Sequence, residues 1–286
     1  MKKLDTIAAV RAHVREARRA GRRIGLVPTM GALHEGHRSL IRTARSACDE
    51  VIVSIFVNPT QFGPGEDFER YPRPIEADLA ACEQEGAAAA FCPSVREMYP
   101  HDSLTRVTVS RLTDGLCGPH RPGHFDGVTT VVAKLFNIVQ PDAAYFGQKD
   151  AQQAVVIRRM ARDLDFPIEI VVCPTVREPD GLAMSSRNVY LTPGQREQAR
   201  SLWAALAWAR DQVLAGRRDA ADLIPAMRGR IESAGPCVID YIEVVDAEDL
   251  SPLPRLTGRC LIALAVRIGQ TRLIDNVIVE ADAREA

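Results

Sequence analysis

The run Val51-Ile52-Val53-Ser54-Ile55-Phe56-Val57 constrains the fold more than any other stretch, because it is short, β-branched and almost continuously apolar. A strand that is apolar on both sides must be covered on both, which is the condition of a parallel sheet between helices. A shorter apolar run, Ile24 to Val27, precedes it and stops at Pro28. Between the two, a glycine turn enters a helix that runs through Ser39, Leu40 and Ile41 to about Cys48, so strand, helix and strand make a βαβ unit.

The alternation continues in both directions. Thr6 to Ala20 predicts an amphipathic helix with Ile7, Val10, Val14 and Ala17 on one stripe, closed by Gly21. Downstream, helices are expected at Pro74 to Glu85, Val128 to Val139 and Ala154 to Arg162, and strands at Ala87 to Phe91, Ala143 to Phe146 and Ile168 to Val172. The pattern breaks between Ser103 and Phe125, where Cys117 to Phe125 is too rich in Pro and Gly for regular structure. Beyond Pro174 the order changes to helices at Pro193 to Val213 and Ala220 to Ser233, then strands at Val238 to Val245, Cys260 to Val266 and Arg272 to Val279. The expectation is an α/β chain: a Rossmann-like parallel-sheet domain over residues 1–174, followed by a smaller α+β C-terminal domain over 175–286.

Composition narrows the function classes. The 36 Lys+Arg against 37 Asp+Glu leave a net charge of -1, which argues against a general nucleic-acid binder but leaves room for a local basic pocket. The 7 cysteines stand singly with no Cys-x-x-Cys, so neither a disulfide framework nor a zinc site is suggested and a reducing cytoplasm is the natural location. Met1 to Thr6 runs into a charged helix rather than an apolar signal core. No apolar run approaches the roughly 20 residues needed to span a membrane.

Four turns carry chemistry. In Val27-Pro28-Thr29-Met30-Gly31-Ala32-Leu33-His34-Glu35-Gly36-His37 the glycines permit a sharp turn and a close ligand, the helix start offers unpaired N–H groups, and His34 and His37 share one face. On spacing alone such a pair is more often solvated or hydrogen-bonded than catalytic. Its place after a strand raises its standing, because ligands in open α/β sheets bind beyond the carboxyl ends of strands. Gln61, in the loop after Val51 to Val57, would emerge on the same edge, although Asn58 reads equally as the cap of an ordinary surface turn. Lys149 and Asp150 follow Gly147 at another strand-to-helix turn with Gln153 one turn on, and Ser185-Ser186-Arg187 supplies hydroxyls and a cation. Cations and hydroxyls suit a triphosphate, and neutral glutamine amides, able both to donate and accept, suit a small polyol or an amide-like substrate. Neither a P-loop nor Gly-x-Gly-x-x-Gly is present, so dinucleotide redox chemistry is disfavoured.

The His34-Glu35-Gly36-His37 turn with Ser185-Ser186-Arg187 resembles the paired signatures of the nucleotidyltransferase and class I aminoacyl-tRNA synthetase superfamily. Pro28 to His37, Val57 to Phe62, Arg121 to Phe125, Tyr145 to Asp150 and Gly181 to Asn188 together resemble the pantothenate synthetase (pantoate–β-alanine ligase) family, in order along the chain. Departures are Gln148, where the family commonly has glutamate, and Ala151, where an aromatic residue is frequent; they concern the packing of the nucleotide loop rather than the reacting groups.

The resemblance implies an ATP-dependent ligase that joins (R)-pantoate to β-alanine through pantoyl adenylate, releasing AMP and pyrophosphate, with Mg²⁺ on the triphosphate and no protein metal ligand assigned. It implies catalytic roles for His37 as proton donor, His34, Lys149 and Arg187. ATP would be bound by Met30, Gly31, Ala32, Leu33, His34, Glu35, Gly36 and His37, by Gly147, Gln148, Lys149 and Asp150, and by Val176, Met184, Ser185, Ser186 and Arg187. Gln61 and Gln153 would hold pantoate, and Gln61 also β-alanine. Arg121 is a weaker candidate on its loop, covering the cleft. A homodimer is the family expectation, with Val51 to Val57 and the loop after it suggested near its interface, and the C-terminal domain, 175–286, is expected to act as a lid over the adenylate. Rival readings are a sister nucleotidyltransferase acting on a phosphate ester, with a cation where Gln61 and Gln153 stand, and a non-catalytic nucleotide-binding module. A tRNA-charging enzyme is disfavoured by the near-neutral charge and the short C-terminal part.

Overall fold

The apolar run forms strand β3, Glu50–Ile55, and every residue of it is buried in the computed structural model, which describes residues 1–281. It lies inside a six-stranded sheet with the spatial order β1-β4-β3-β2-β5-β6, all of whose pairings are parallel. The other strands are β1 (Lys2–Leu4), β2 (Ile24–Thr29), β4 (Ala89–Phe91), β5 (Ala143–Gly147) and β6 (Glu169–Cys173). Helices α1 (Ile7–Arg19), α2 (Glu35–Ala47), α3 (Ile75–Gln84), α4 (Val95–Met98), α5 (His124–Val139) and α6 (Ala151–Asp163) connect them.

Side-chain alternation sorts the strand residues between two apolar layers. Ile24, Leu26, Ile52, Ala144 and Phe146 pack with Val10 and Val14 of α1, Phe136 of α5 and Ile157 of α6. Val27, Val51, Val53 and Tyr145 face the other way, against Leu40 and Ile41 of α2 and Cys82 of α3. At roughly 1.5–3 kcal/mol for each fully buried Val, Ile or Leu, these two layers drive the sandwich. β3 is paired on both edges and covered on both faces. The chain runs outward from β2 to β3 and β4, then returns to β5 and β6 on the other side. That makes the β2/β5 junction the point where strand order reverses, and ligands in such sheets bind beyond the carboxyl ends there.

The chain forms two compact units: Met1–Ser110 with Arg121–Gln148 and Val156–Pro174, and Arg111–His120 with Lys149–Val155 and the chain from Thr175. The second holds α7 (Pro193–Leu214), α8 (Ala220–Glu232) and an antiparallel sheet of β7 (Val238–Asp246), β8 (Gly258–Ile268) and β9 (Thr271–Ala281). Its core joins Leu202 and Leu206 of α7 and Leu223 of α8 to Ile262, Leu264 and Leu273 of the sheet. Thr192 caps α7 reciprocally with Gln195, with Pro193 in the first turn where no N–H is needed. No helix among the described residues is long and apolar enough to cross a membrane.

Three departures from the sequence expectation have a plain physical cause. β2 continues through Pro28 to Thr29. The Ile24 carbonyl accepts from Asp142 of the β5 side and the Thr29 carbonyl from Phe56 of the β3 side, so Pro28 turns its missing N–H toward β5, where pairing ends at Leu26. No ladder bond is lost. Helix α5 begins at His124 rather than Val128, because Pro122 and Gly123 precede its first turn and Gly123 makes the entry at φ 79°. Edge strand β1 has only Leu4 even partly buried, so it carries no apolar pattern to read.

Candidate active site

The turn after β2 is held from several directions. The Thr29 hydroxyl donates to the Ser54 carbonyl at 2.7 Å and accepts the Gly31 N–H at 3.2 Å. Gly31 and Ala32 are then both left-handed, at φ 81° and 49°. That conformation is free for glycine but strained for alanine. Asp78, on α3 and only 2 % exposed, accepts the Ala32 N–H at 2.9 Å and the Leu33 N–H at 2.7 Å.

His34 caps α2, its Nδ1 accepting the Gly36 N–H at 3.1 Å, while Nδ1 of His37 accepts the His34 N–H at 3.3 Å. The rings lie 4.0 Å apart between centroids. Because both Nδ1 atoms accept, a neutral imidazole at either position carries its proton on Nε2 and presents it as a donor. The histidines are thus at once the helix cap and a pair of oriented Nε2–H donors. The sequence reading of free N–H groups in this turn is corrected: those of Ala32, Leu33, His34 and Gly36 already serve Asp78 and the imidazoles. The Glu35 carboxylate turns to Arg42 and Arg38.

Gln61 belongs to the same neighbourhood. It is buried in the short turn Pro59–Gln61, its Nε2 donates to the Met30 sulfur at 3.0 Å, and its Oε1 accepts from Asn58 Nδ2 at 3.1 Å. Asn58 caps this turn, as an ordinary connection would require, and it also donates to the Gly127 carbonyl and accepts from the Tyr99 hydroxyl. A Cβ on Gly127 would lie 2.4 Å from the Thr60 carbonyl oxygen, so only glycine lets α5 approach this closely.

Arg121 reaches the back of Gln61. Its guanidinium grips Glu66 at 2.6 and 2.7 Å, and His124 Nδ1 donates to the Gln61 carbonyl at 2.8 Å. Burial pushes the Glu66 carboxyl up, but Arg121 outweighs it and holds the group below the usual carboxylate range. Gly147 and Gln148 leave β5 at the same sheet edge, beyond the strand-order reversal.

The second unit gathers the remaining candidates. Lys149 Nζ lies 3.2 Å from Asp150, and its backbone carbonyl accepts from Asn276 of β9 at 2.9 Å. Asp275 beside it takes both arms of Arg177, at 2.6 and 3.0 Å, with the Arg177 guanidinium 3.5 Å from the Trp203 ring centroid. Burial pushes the Asp275 carboxyl up against the pull of Arg177. Val176 and Met184 face each other across a small hairpin, the Met184 N–H donating to the Val176 carbonyl at 3.0 Å. Asn188 ties that hairpin to the next turn by donating to Glu178 at 2.8 Å and to the Ala183 carbonyl at 3.1 Å. Ser185 caps the turn Ser186–Tyr190 by accepting the Arg187 N–H. Gln153 is half-buried, whereas its neighbour Gln152 is buried and binds Leu112, Gly115 and Cys117.

Sequence reasoning did not single out Asp78, Asn188, Asn276 or the Arg177–Asp275 pair, most of which touch the candidates from far along the chain. Asn188 lies directly beside the Ser185-Ser186-Arg187 motif, the one signal available for it. Among the described residues no cluster of three or more His, Cys, Asp or Glu gathers to hold a metal ion.

The family model described as pantoate-beta-alanine ligase matches residues 2–278 of this chain. A pantothenate synthetase of Moorella thermoacetica is 60% identical over 282 residues, covering 99% of this chain and 100% of the relative. The crystal structure of pantothenate synthetase from Thermus thermophilus superposes with a TM-score of 0.92 at 46% identity, over 97% of this chain and 99% of that one. That of a Francisella tularensis pantoate-beta-alanine ligase complexed with beta-gamma ATP and beta-alanine gives 0.82 at 37%, over 97% of each.

Proposed function

Because this chain belongs to the pantoate–β-alanine ligase family, and is accordingly a ligase that forms pantothenate, we propose that it works with ATP through a pantoyl-adenylate intermediate. One carboxylate oxygen of (R)-pantoate attacks the α-phosphorus of ATP, and the bond to the bridging oxygen breaks to release pyrophosphate. The amine of β-alanine then attacks the acyl carbon of the adenylate, AMP leaves with the oxygen that joined it to the acyl group, and the nitrogen gives up a proton. The Francisella relative's complex with beta-gamma ATP and beta-alanine supports both substrates.

The observation that carries this reading is the pair of Nε2–H donors fixed by reciprocal Nδ1 caps where the strand order reverses. Negative charge grows on phosphate oxygens as pyrophosphate departs, and donors fixed beforehand stabilise it without reorganising. In this reading His37 gives the proton, His34 supports it, and Lys149 and Arg187 neutralise the triphosphate. Gly147 to Asp150, Val176 and Met184 to Ser186 hold ATP. Gln61 and Gln153 hold pantoate, and Gln61 borders β-alanine. Mg²⁺ enters with the triphosphate as part of the substrate. The enzyme acts as a cytoplasmic homodimer, which sedimentation of the purified protein would check.

Product analysis with Mg²⁺, ATP, pantoate and β-alanine tests the reaction. AMP and pyrophosphate in step with pantothenate, dependent on both acids, are expected; ADP would overturn the adenylate.

A further inference from the structure

We propose that Asp78 is a positioning residue for the reaction: its carboxylate occupies the anion-binding turn Gly31-Ala32-Leu33 and thereby aims His34, His37 and Met30. The inference rests on the function assigned above to the two histidines. Asp78 sits near the start of α3, forty-four residues after His34, with both oxygens on backbone N–H groups of the turn, at 2.9 and 2.7 Å. No cation lies against it among the described residues.

The strain of the turn explains the need. The N–H groups of Ala32 and Leu33 point to one side of the turn, where a single anion accepts both. An external phosphate would hold such a turn only while bound, whereas a built-in carboxylate holds it continuously. Burial pushes the Asp78 carboxyl up from its ordinary range, and the two N–H groups pull the other way. Carboxylates kept where their charge is disfavoured concentrate at functional sites. The space is also closed, since a Cβ on Gly31 would stand 2.9 Å from Asp78 Oδ2. Immediately after the turn come the His34 cap and its link to His37; immediately before it is Met30, the partner of Gln61. One carboxylate therefore sets the donor pair and the contact to Gln61 together.

The test is Asp78→Asn, which keeps the shape. Its amide oxygen accepts one N–H, but its NH₂ must face the other, so the turn shifts without a cavity. Pantoate-dependent exchange of pyrophosphate into ATP should fall about tenfold to a hundredfold in kcat. KM for pantoate should rise as well, because the Met30 contact to Gln61 shifts with the turn, while KM for ATP should stay near the wild-type value. Cys82→Ala, one turn along the same helix and buried in the apolar layer with Leu40 and Ile41, should lower the melting temperature while keeping kcat, as a merely structural effect would.

In the unaltered enzyme the Ala32 and Leu33 amide protons should be protected from exchange before any substrate is added. An unchanged kcat in Asp78→Asn, or unprotected amides at 32 and 33, would overturn the proposal. His37→Ala measured alongside separates the two levels. Full exchange activity in that variant contradicts the function assigned to the histidines, whereas its loss beside a fully active Asp78→Asn contradicts only the role of Asp78.

Discussion

Nδ1 of His37 accepts the backbone N–H of His34, and through that bond the second histidine of the pair fixes the first. The bond makes helix cap and donor one device, so a change at position 37 is felt in both stability and rate.

His37→Ala removes a donor and half of the reciprocal cap. Losing a cap typically costs about 1 kcal/mol of stability, so the variant should remain folded and melt slightly lower. Losing one preorganised donor costs about 10²–10³ in rate, and release of pyrophosphate from ATP and pantoate should slow by that order. An undiminished rate would remove His37 from the reaction.

Lys149→Ala should show a rate loss of the same order, about 10²–10³, with little change in melting temperature. The position of residue 149 depends on its backbone carbonyl, which Asn276 holds whatever the side chain. Stopped-flow or exchange kinetics beside thermal denaturation separates the two effects.

Gly127→Ala tests the packing behind Gln61. The added methyl would meet the Thr60 carbonyl at 2.4 Å and the Gln61 nitrogen at 2.6 Å, both of them backbone. Overpacking of this kind costs about 1–3 kcal/mol. It should also displace Gln61 and raise KM for pantoate more than KM for ATP. Equal effects on the two would argue that Gln61 does not meet pantoate.

Acid should weaken the hairpin that carries Val176 and Met184. The Arg196 hydrogen bond, the largest influence, holds the Glu178 carboxyl below its ordinary 4.5 despite burial. A carboxyl lowered in the folded state contributes stability above its unfolded pKa and loses it as pH falls through the folded one. Glu178→Gln keeps an acceptor for Asn188 but loses the charge, so its melting temperature should fall less than the wild type's between about pH 6 and pH 3. Parallel curves would show that the ion pair contributes nothing.

The legible parts of this protein are those written in neighbouring residues. Val51 to Ile55 announces a doubly covered strand by composition alone, and His34 to His37 announces a helix start by spacing. What sequence hides is what arrives from afar or depends on direction. Asp78 reaches the turn across forty-four residues from His34, and nothing in Glu76-Ala77-Asp78-Leu79 distinguishes it from an acidic first turn of a helix. Pro28 reads as a strand end because sequence does not say which neighbour its absent N–H would face. Pro122 and Gly123 read as irregular although they immediately precede the first turn of α5.

Bonding of pantoate's carboxylate to the α-phosphorus is the step on which every assigned role depends, and oxygen transfer tests it most directly. Pantoate labelled with ¹⁸O in its carboxylate, turned over with ATP, Mg²⁺ and β-alanine, should deliver one labelled oxygen to the phosphate of AMP. AMP free of label, or label found instead in inorganic phosphate, would contradict the adenylate and the role assigned to the histidine pair.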